Sequence, residues 1–97
     1  MEKLYPIREG NKWGCMNGRG QVVIEPKFDE VNAFDGGLAA VKIKNKFGFI
    51  DKAGRVVIDF RFRTASAFAD GLSFFELPDG RVGYIDKKGK YIWEPTV

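Results

Sequence analysis

Cys15 is the only thiol in a chain of 97 residues that contains no histidine. A cysteine becomes nucleophilic as its thiolate, which needs a nearby base or a cationic setting. Cys15 occupies a position held by an aromatic residue in related segments, so a buried and inert thiol is expected. Being alone, it also rules out an intrachain disulfide. The stretches Asp51-Lys52-Ala53-Gly54 and Asp86-Lys87-Lys88-Gly89 invite comparison with metal or phosphate loops. One carboxylate per loop falls short of the several oxygens that calcium takes, and Asp at the start with Gly at the end is the chemistry of a turn. Asp29 and Glu30 could pair for acid–base work, but a loop rich in solvated acids needs no such role. Catalytic, cofactor-binding and metal-ligating residues are therefore all expected to be none.

Residues suited to binding are easier to find. Arg61 and Arg63 alternate with Phe60 and Phe62 and predict a patch for an acidic partner, with the acidic segment of another copy as one candidate. The corresponding stretch near residue 30 instead carries Glu25, Lys27, Asp29, Glu30 and Asp35, so equivalent surfaces differ in sign. Lys42 and Lys44, two apart, are expected to share one strand face, and with Lys46 form a basic strip that also suits protection of a sheet edge. Tyr91 and Trp93 are two apart as well and are expected on one face of the last strand. Trp13 is expected to pack in the core or between units. The formal net charge is +3 and the pI about 9.1, from signs that are interspersed rather than clustered.

The elements that position these residues repeat. Leu4, Leu38 and Leu72 stand 34 residues apart, and Trp13-Gly14, Phe47-Gly48 and Val82-Gly83 follow with one residue inserted in the third segment. The first two segments also share Val-Val-Ile at 22–24 and 56–58, and Ala33-Phe34 matches Ala67-Phe68. Units this short cannot bury an apolar face alone and must stack. In the second unit, Leu38–Lys44, Phe47–Ile50 and Arg55–Ile58 read as strands, with turns at Asn45-Lys46 and Asp51–Gly54. The remainder, Asp59 to Gly71, reads as a connector whose Phe62 and Phe68 fold back over the sheet. Glycines 14, 48 and 83 fall inside strands, where a close approach is expected, with a ring from the neighbouring unit as its source. The fold class is all-β: a tandem array of three antiparallel three-stranded meanders, solenoid-like or barrel-like. Its repeats cover residues 4–37, 38–71 and 72–97, with Leu77-Pro78-Asp79-Gly80 absorbing the insertion.

The run Lys46-Phe47-Gly48-Phe49-Ile50-Asp51-Lys52-Ala53-Gly54-Arg55-Val56-Val57-Ile58 resembles the bacterial WG, or KWG, repeat. Lys12-Trp13-Gly14 through Glu25-Pro26-Lys27-Phe28-Asp29 and Gly37-Leu38-Ala39 carry the same resemblance. Departures are Phe60 for the linker proline, Arg63 where the first unit has Asp29, Val82 for the signature aromatic, and Cys15 where the other units have Phe49 and Tyr84. The resemblance implies a non-catalytic module attached to varied partners, with no catalytic residues to carry over. The expected function is protein interaction or scaffolding through connectors or array ends, including self-association. The alternatives are glycan or cell-wall binding through Trp13, Tyr91 and Trp93, and weak single-stranded nucleic-acid binding through basic and aromatic groups. No apolar run approaches a membrane span and no leader pattern follows Met1. A reducing, cytoplasmic setting is slightly favoured.

Overall fold

The computed structural model describes residues 3–96. Its strands are β1 (Tyr5–Glu9), β2 (Lys12–Met16), β3 (Val22–Phe28), β4 (Glu30–Val31), β5 (Leu38–Ile43), β6 (Lys46–Asp51), β7 (Val56–Phe62), β8 (Thr64–Ala65), β9 (Ser73–Glu76), β10 (Val82–Ile85) and β11 (Tyr91–Thr96). They form three antiparallel sheets, ordered β1-β2-β3, β4-β5-β6-β7 and β8-β9-β10-β11.

One turn type closes the second hairpin of every unit. Asp51 Oδ1 accepts the backbone N–H of Ala53 and of Arg55, and Asp86 Oδ1 accepts those of Lys88 and Lys90, all at 2.9–3.0 Å. Asn17 Oδ1 does the same with Arg19 and Gln21. The Asp-Lys-x-Gly stretches are thus turns whose carboxylate is consumed by the backbone. The longer loop Leu77–Arg81 has a similar backbone closure, with Asp79 accepting from the Arg81 N–H at 3.1 Å. In the second unit the first turn is Lys44-Asn45, both left-handed at φ 50° and 71°, one residue earlier than expected. That pairing of positive φ values matches the twist of a two-residue hairpin.

These contacts set an acid limb. Burial pushes the Asp51 carboxyl up, but the N–H groups of Arg55 and Ala53 and the Arg55 guanidinium outweigh it and hold it below its ordinary value. The Lys90 and Lys88 N–H groups lower Asp86, the Arg81 N–H and guanidinium lower Asp79, and the Lys12 ammonium and Lys44 N–H lower Asp29. A carboxyl depressed in the folded state contributes stability above its unfolded pKa of about 3.9 and loses it as pH falls through the folded value. The thermal midpoint is expected to fall on acidification below about pH 4. An Asp51→Asn/Asp86→Asn variant, which copies Asn17, should show a flatter acid limb in a melting series against pH.

The mid-strand glycines mark bulges. Trp13 pairs with Phe28 and Cys15 with Ile24, so Gly14 alone faces Glu25, Pro26 and Lys27; Phe47 and Phe49 pair with Phe62 and Ile58, so Gly48 faces Asp59, Phe60 and Arg61. The bulged backbone fills the space a side chain would need: a Cβ on Gly48 would lie 2.7 Å from the Ile58 carbonyl oxygen, and one on Gly83 2.5 Å from that of Trp93. The close approach therefore comes from the paired strand's backbone, not from a neighbouring unit's ring; at Gly83 the Phe75 ring of the same unit adds to it. Proline suits these positions because a bulged residue has no ladder N–H to lose. The bulge also carries β3 and β7 on to Phe28 and Phe62, four residues past the expected ends at Ile24 and Ile58.

Connectors do more than fold back. Glu30 and Val31 pair with Lys42 and Val41, and Thr64 and Ala65 with Glu76 and Phe75, so each connector lends a fourth strand to the following sheet. Asp35 and Leu38 exchange backbone hydrogen bonds around Gly36-Gly37, as do Ala69 and Leu72 around Asp70-Gly71. An otherwise open edge is thereby covered at those positions by the preceding unit. The sheets stack face to face with two cores between them. Cys15, Ile24 and Phe28 meet Ala39, Val41 and Ile50 in one, while Ala40, Phe49, Ile58 and Phe62 meet Phe75 and Ile85 in the other, where Phe68 packs on Phe49 at 4.9 Å. The middle sheet is buried on both sides. The result is an open, elongated array of 43 × 28 × 16 Å rather than a closed barrel.

Candidate functional site

Alternation along β5 gives each sheet a rear face toward the preceding unit and a forward face toward the next. Leu38 and Ala40 point forward into the second core, Ala39 and Val41 rearward into the first. The repeat carries this assignment to the third sheet, where Phe75 and Ile85 point rearward and are fully buried. Its forward face is a row across three paired strands. Phe74 pairs with Tyr84 and Tyr84 with Trp93, and the three are 42%, 42% and 61% exposed. The rings of Phe74 and Tyr84 meet edge to face at 5.3 Å, and Leu72 extends the patch. These residues stand where Ala40, Phe49, Ile58 and Leu38 stand in the second unit, all of them buried there. Four neighbouring exposed apolar side chains on one sheet face form the strongest candidate for a contact surface.

Tyr91 and Trp93 do not share a face. Tyr84 pairs with Trp93 but Ile85 pairs with Tyr91, so Ile92 is an extra residue in β11 and the side-chain alternation slips by one. Tyr91 turns inward, 5.6 Å from the Phe75 ring, and Trp93 turns outward. The two-residue spacing put both rings on one face, and the extra residue in β11 separates them.

The arginines are engaged inside the chain. Arg61 donates from Nη2 to the Gly89 carbonyl at 3.2 Å and lies 5.1 Å from the Phe62 ring and 5.5 Å from that of Tyr91, linking the second sheet to the turn of the third. Its Nε is buried without a partner. Arg63 reaches Glu76 at 3.4 Å and the Pro78 carbonyl at 3.2 Å. Phe60 stacks on Phe28 across the first core at 6.4 Å. The structure thus disperses Phe60, Arg61 and Arg63 instead of gathering them on one free patch. Arg61→Ala is expected to lower stability by about 1–2 kcal/mol through loss of the ring contacts and the hydrogen bond. Arg61→Met should cost less, because it keeps the packed stem and removes the orphaned donor. Urea denaturation of the two variants checks that order.

The lysines also differ from expectation. Lys42 lies in β5, 3.4 Å from Glu30 and 5.8 Å from the Phe47 ring, whereas Lys44 lies beyond the strand in the left-handed turn and gives its backbone N–H to Asp29. They share no strand face, because β5 ends at Ile43. Arg8 lies over Trp13 at 5.7 Å, repeating the placement of Lys42 over Phe47. Cys15 is buried and its thiol is pushed up by desolvation, away from the thiolate form that a nucleophile needs. Among the described residues no group of three His, Cys, Asp or Glu side chains converges as a metal site requires.

Sequence reasoning passed over Leu72, Phe74 and Tyr84. The signal for them is the repeat itself: they complete the forward face of the last described sheet. A family model described as a WG containing repeat matches residues 13–47 and 47–80, together well over half of the chain. Each match runs onward from a signature aromatic–glycine position, Trp13-Gly14 or Phe47-Gly48. No curated protein and no solved structure matches the chain.

Proposed function

The chain belongs to the WG-repeat family, and on that premise we propose that it is a non-catalytic protein-interaction module whose working surface is the forward face of its third sheet. The observation that carries this reading is the exposed row Phe74, Tyr84 and Trp93, set at positions that the second unit uses to bind its neighbour. Aromatic residues enrich interface cores because they bury large areas at small entropic cost, and their clustering here is what a partner-binding patch needs. The reactive-looking groups support the same reading by their other duties. Cys15 is desolvated, and the turn carboxylates are occupied by backbone N–H groups.

The test is capture of partners from an extract of the source cell by immobilised wild-type chain and by a Trp93→Glu variant. A protein retained by wild type and lost with the variant supports the surface. Identical retention on both would place the interaction elsewhere. Folding of the variant is checked by its melting curve, since a residue this exposed carries little of the core.

A further inference from the structure

We propose that copies of this chain associate head to tail, the forward face of the third sheet of one copy seating on the rear face of the first sheet of the next. This deepens the interaction-module reading by naming the partner as a second copy.

The chain builds the required joint twice. At the first joint, Ile24 of the forward face reaches over the turn of the next unit, its Cγ1 3.4 Å from where a Cβ on Gly54 would stand; at the second, Ile58 Cγ1 lies 3.4 Å from the same point on Gly89. Both glycines are left-handed, at φ +87° and +82°, so the turn offers bare backbone for an apolar side chain to cover. The exposed ends carry the two unmatched halves of this joint. Trp93 holds the Ile24 and Ile58 position and is 61% exposed. Gly20 holds the Gly54 and Gly89 position, is left-handed at φ +81°, and has nothing within 4 Å of where its Cβ would stand.

The residues around them hold equivalent positions of the repeat, with larger side chains on both faces. Tyr5 and Met16, paired with each other, occupy the rear-face positions of Ala39 and Ile50, and Ile7 that of Val41; Tyr5 is 41% exposed and the other two are half-buried. Against them would lie Leu72, Phe74, Tyr84 and Trp93. The displacement that carries the first sheet to the second and the second to the third would carry the third to the first sheet of another copy. Knob and socket lie at opposite ends, so the contact is heterologous, and repeated along the array it grows instead of closing as a two-fold dimer.

The test uses sedimentation of the whole chain over a wide concentration range, with two variants. Trp93→Glu removes the knob. Tyr5→Glu/Gly20→Asn blocks the socket, and asparagine tolerates the left-handed conformation while adding a side chain into open space. Wild type is expected to show a mass that rises past the dimer with concentration. Each variant alone should stay monomeric, its self-affinity at least tenfold weaker. An equimolar mixture of the two should stop at the dimer, because it contains one intact knob and one intact socket. Melting curves show that both variants fold.

A monomeric wild type would overturn the proposal, as would a variant that associates like wild type. A mixture that stays monomeric while each variant abolishes assembly would mean that the intact knob and the intact socket do not seat on each other, and would overturn it too. If copies fail to associate but partner capture still depends on Trp93, self-stacking falls and the interaction-module reading stands; if neither is observed, both fall.

Discussion

Gly48→Ala is expected to destabilise the fold severely. Its new Cβ would stand 2.7 Å from the Ile58 carbonyl oxygen and 3.0 Å from both the Asp59 carbonyl carbon and the Phe60 nitrogen. All three are backbone atoms of β7, so no rotamer change relieves the overlap. Moving β7 away breaks its pairing with β6 and shifts Phe62 and Ile58, which pack in the second core. Overpacking against a rigid neighbour typically costs 1–3 kcal/mol and more where nothing yields, so a loss of at least about 3 kcal/mol is expected. Set against the ~5–15 kcal/mol of an ordinary domain, such a loss removes a large share of the total stability. Gly18→Ala is the control: its Cβ would meet only Tyr5 Cε1 at 3.9 Å, an ordinary contact, and the variant should melt close to wild type. A Gly48→Ala protein with the wild-type urea midpoint would show that the bulge does not need a bare glycine opposite it.

Much of this architecture was legible in the chain because strands and turns leave local marks. Val41 and Phe49 alternate with their neighbours, and Asp51 and Gly54 bracket a turn, so β5, β6 and their hairpin could be located without tertiary knowledge. The bulges could not. An unpaired residue at Val57 or Ile92 flips every side chain beyond it, and no residue type announces the slip; that is why Tyr91 and Trp93 were expected together and lie apart. The fourth strands were hidden for another reason. Glu30-Val31 and Thr64-Ala65 are two residues long, too short for an alternation to register. Arg61 illustrates a third limit, since its acceptor is a carbonyl 28 residues away and a charged residue in a connector reads as solvated until that carbonyl is placed. The exposed row was hardest of all. Phe74 and Tyr84 repeat the pattern that buries Ala40 and Phe49, and only the position of the unit in the stack decides which of them meets another sheet.

That dependence on position makes the second large effect a comparison among three equivalent residues. Cys15, Phe49 and Tyr84 occupy one site of the repeat, and each pairs with the forward residue of the strand beside it: Ile24, Ile58 or Trp93. Phe49 is wholly buried, 4.9 Å from Phe68 and 6.4 Å from Phe62, at the centre of the second core. Phe49→Ala removes the ring and leaves a cavity walled by a sheet on each side, for which about 3–5 kcal/mol is expected. Tyr84→Ala should change stability by less than about 1 kcal/mol, because its ring is partly in water and loses chiefly the edge contact with Phe74. Cys15→Ala, removing one buried sulfur, should fall between them at about 1 kcal/mol. Urea midpoints at constant m-value measure all three. The order Phe49, Cys15, Tyr84 is the signature of an open stack whose last forward face meets solvent. If Tyr84→Ala instead matched Phe49→Ala in the isolated chain at low concentration, Tyr84 would have to be buried within the monomer, and the forward face of the third sheet would no longer be a surface at all.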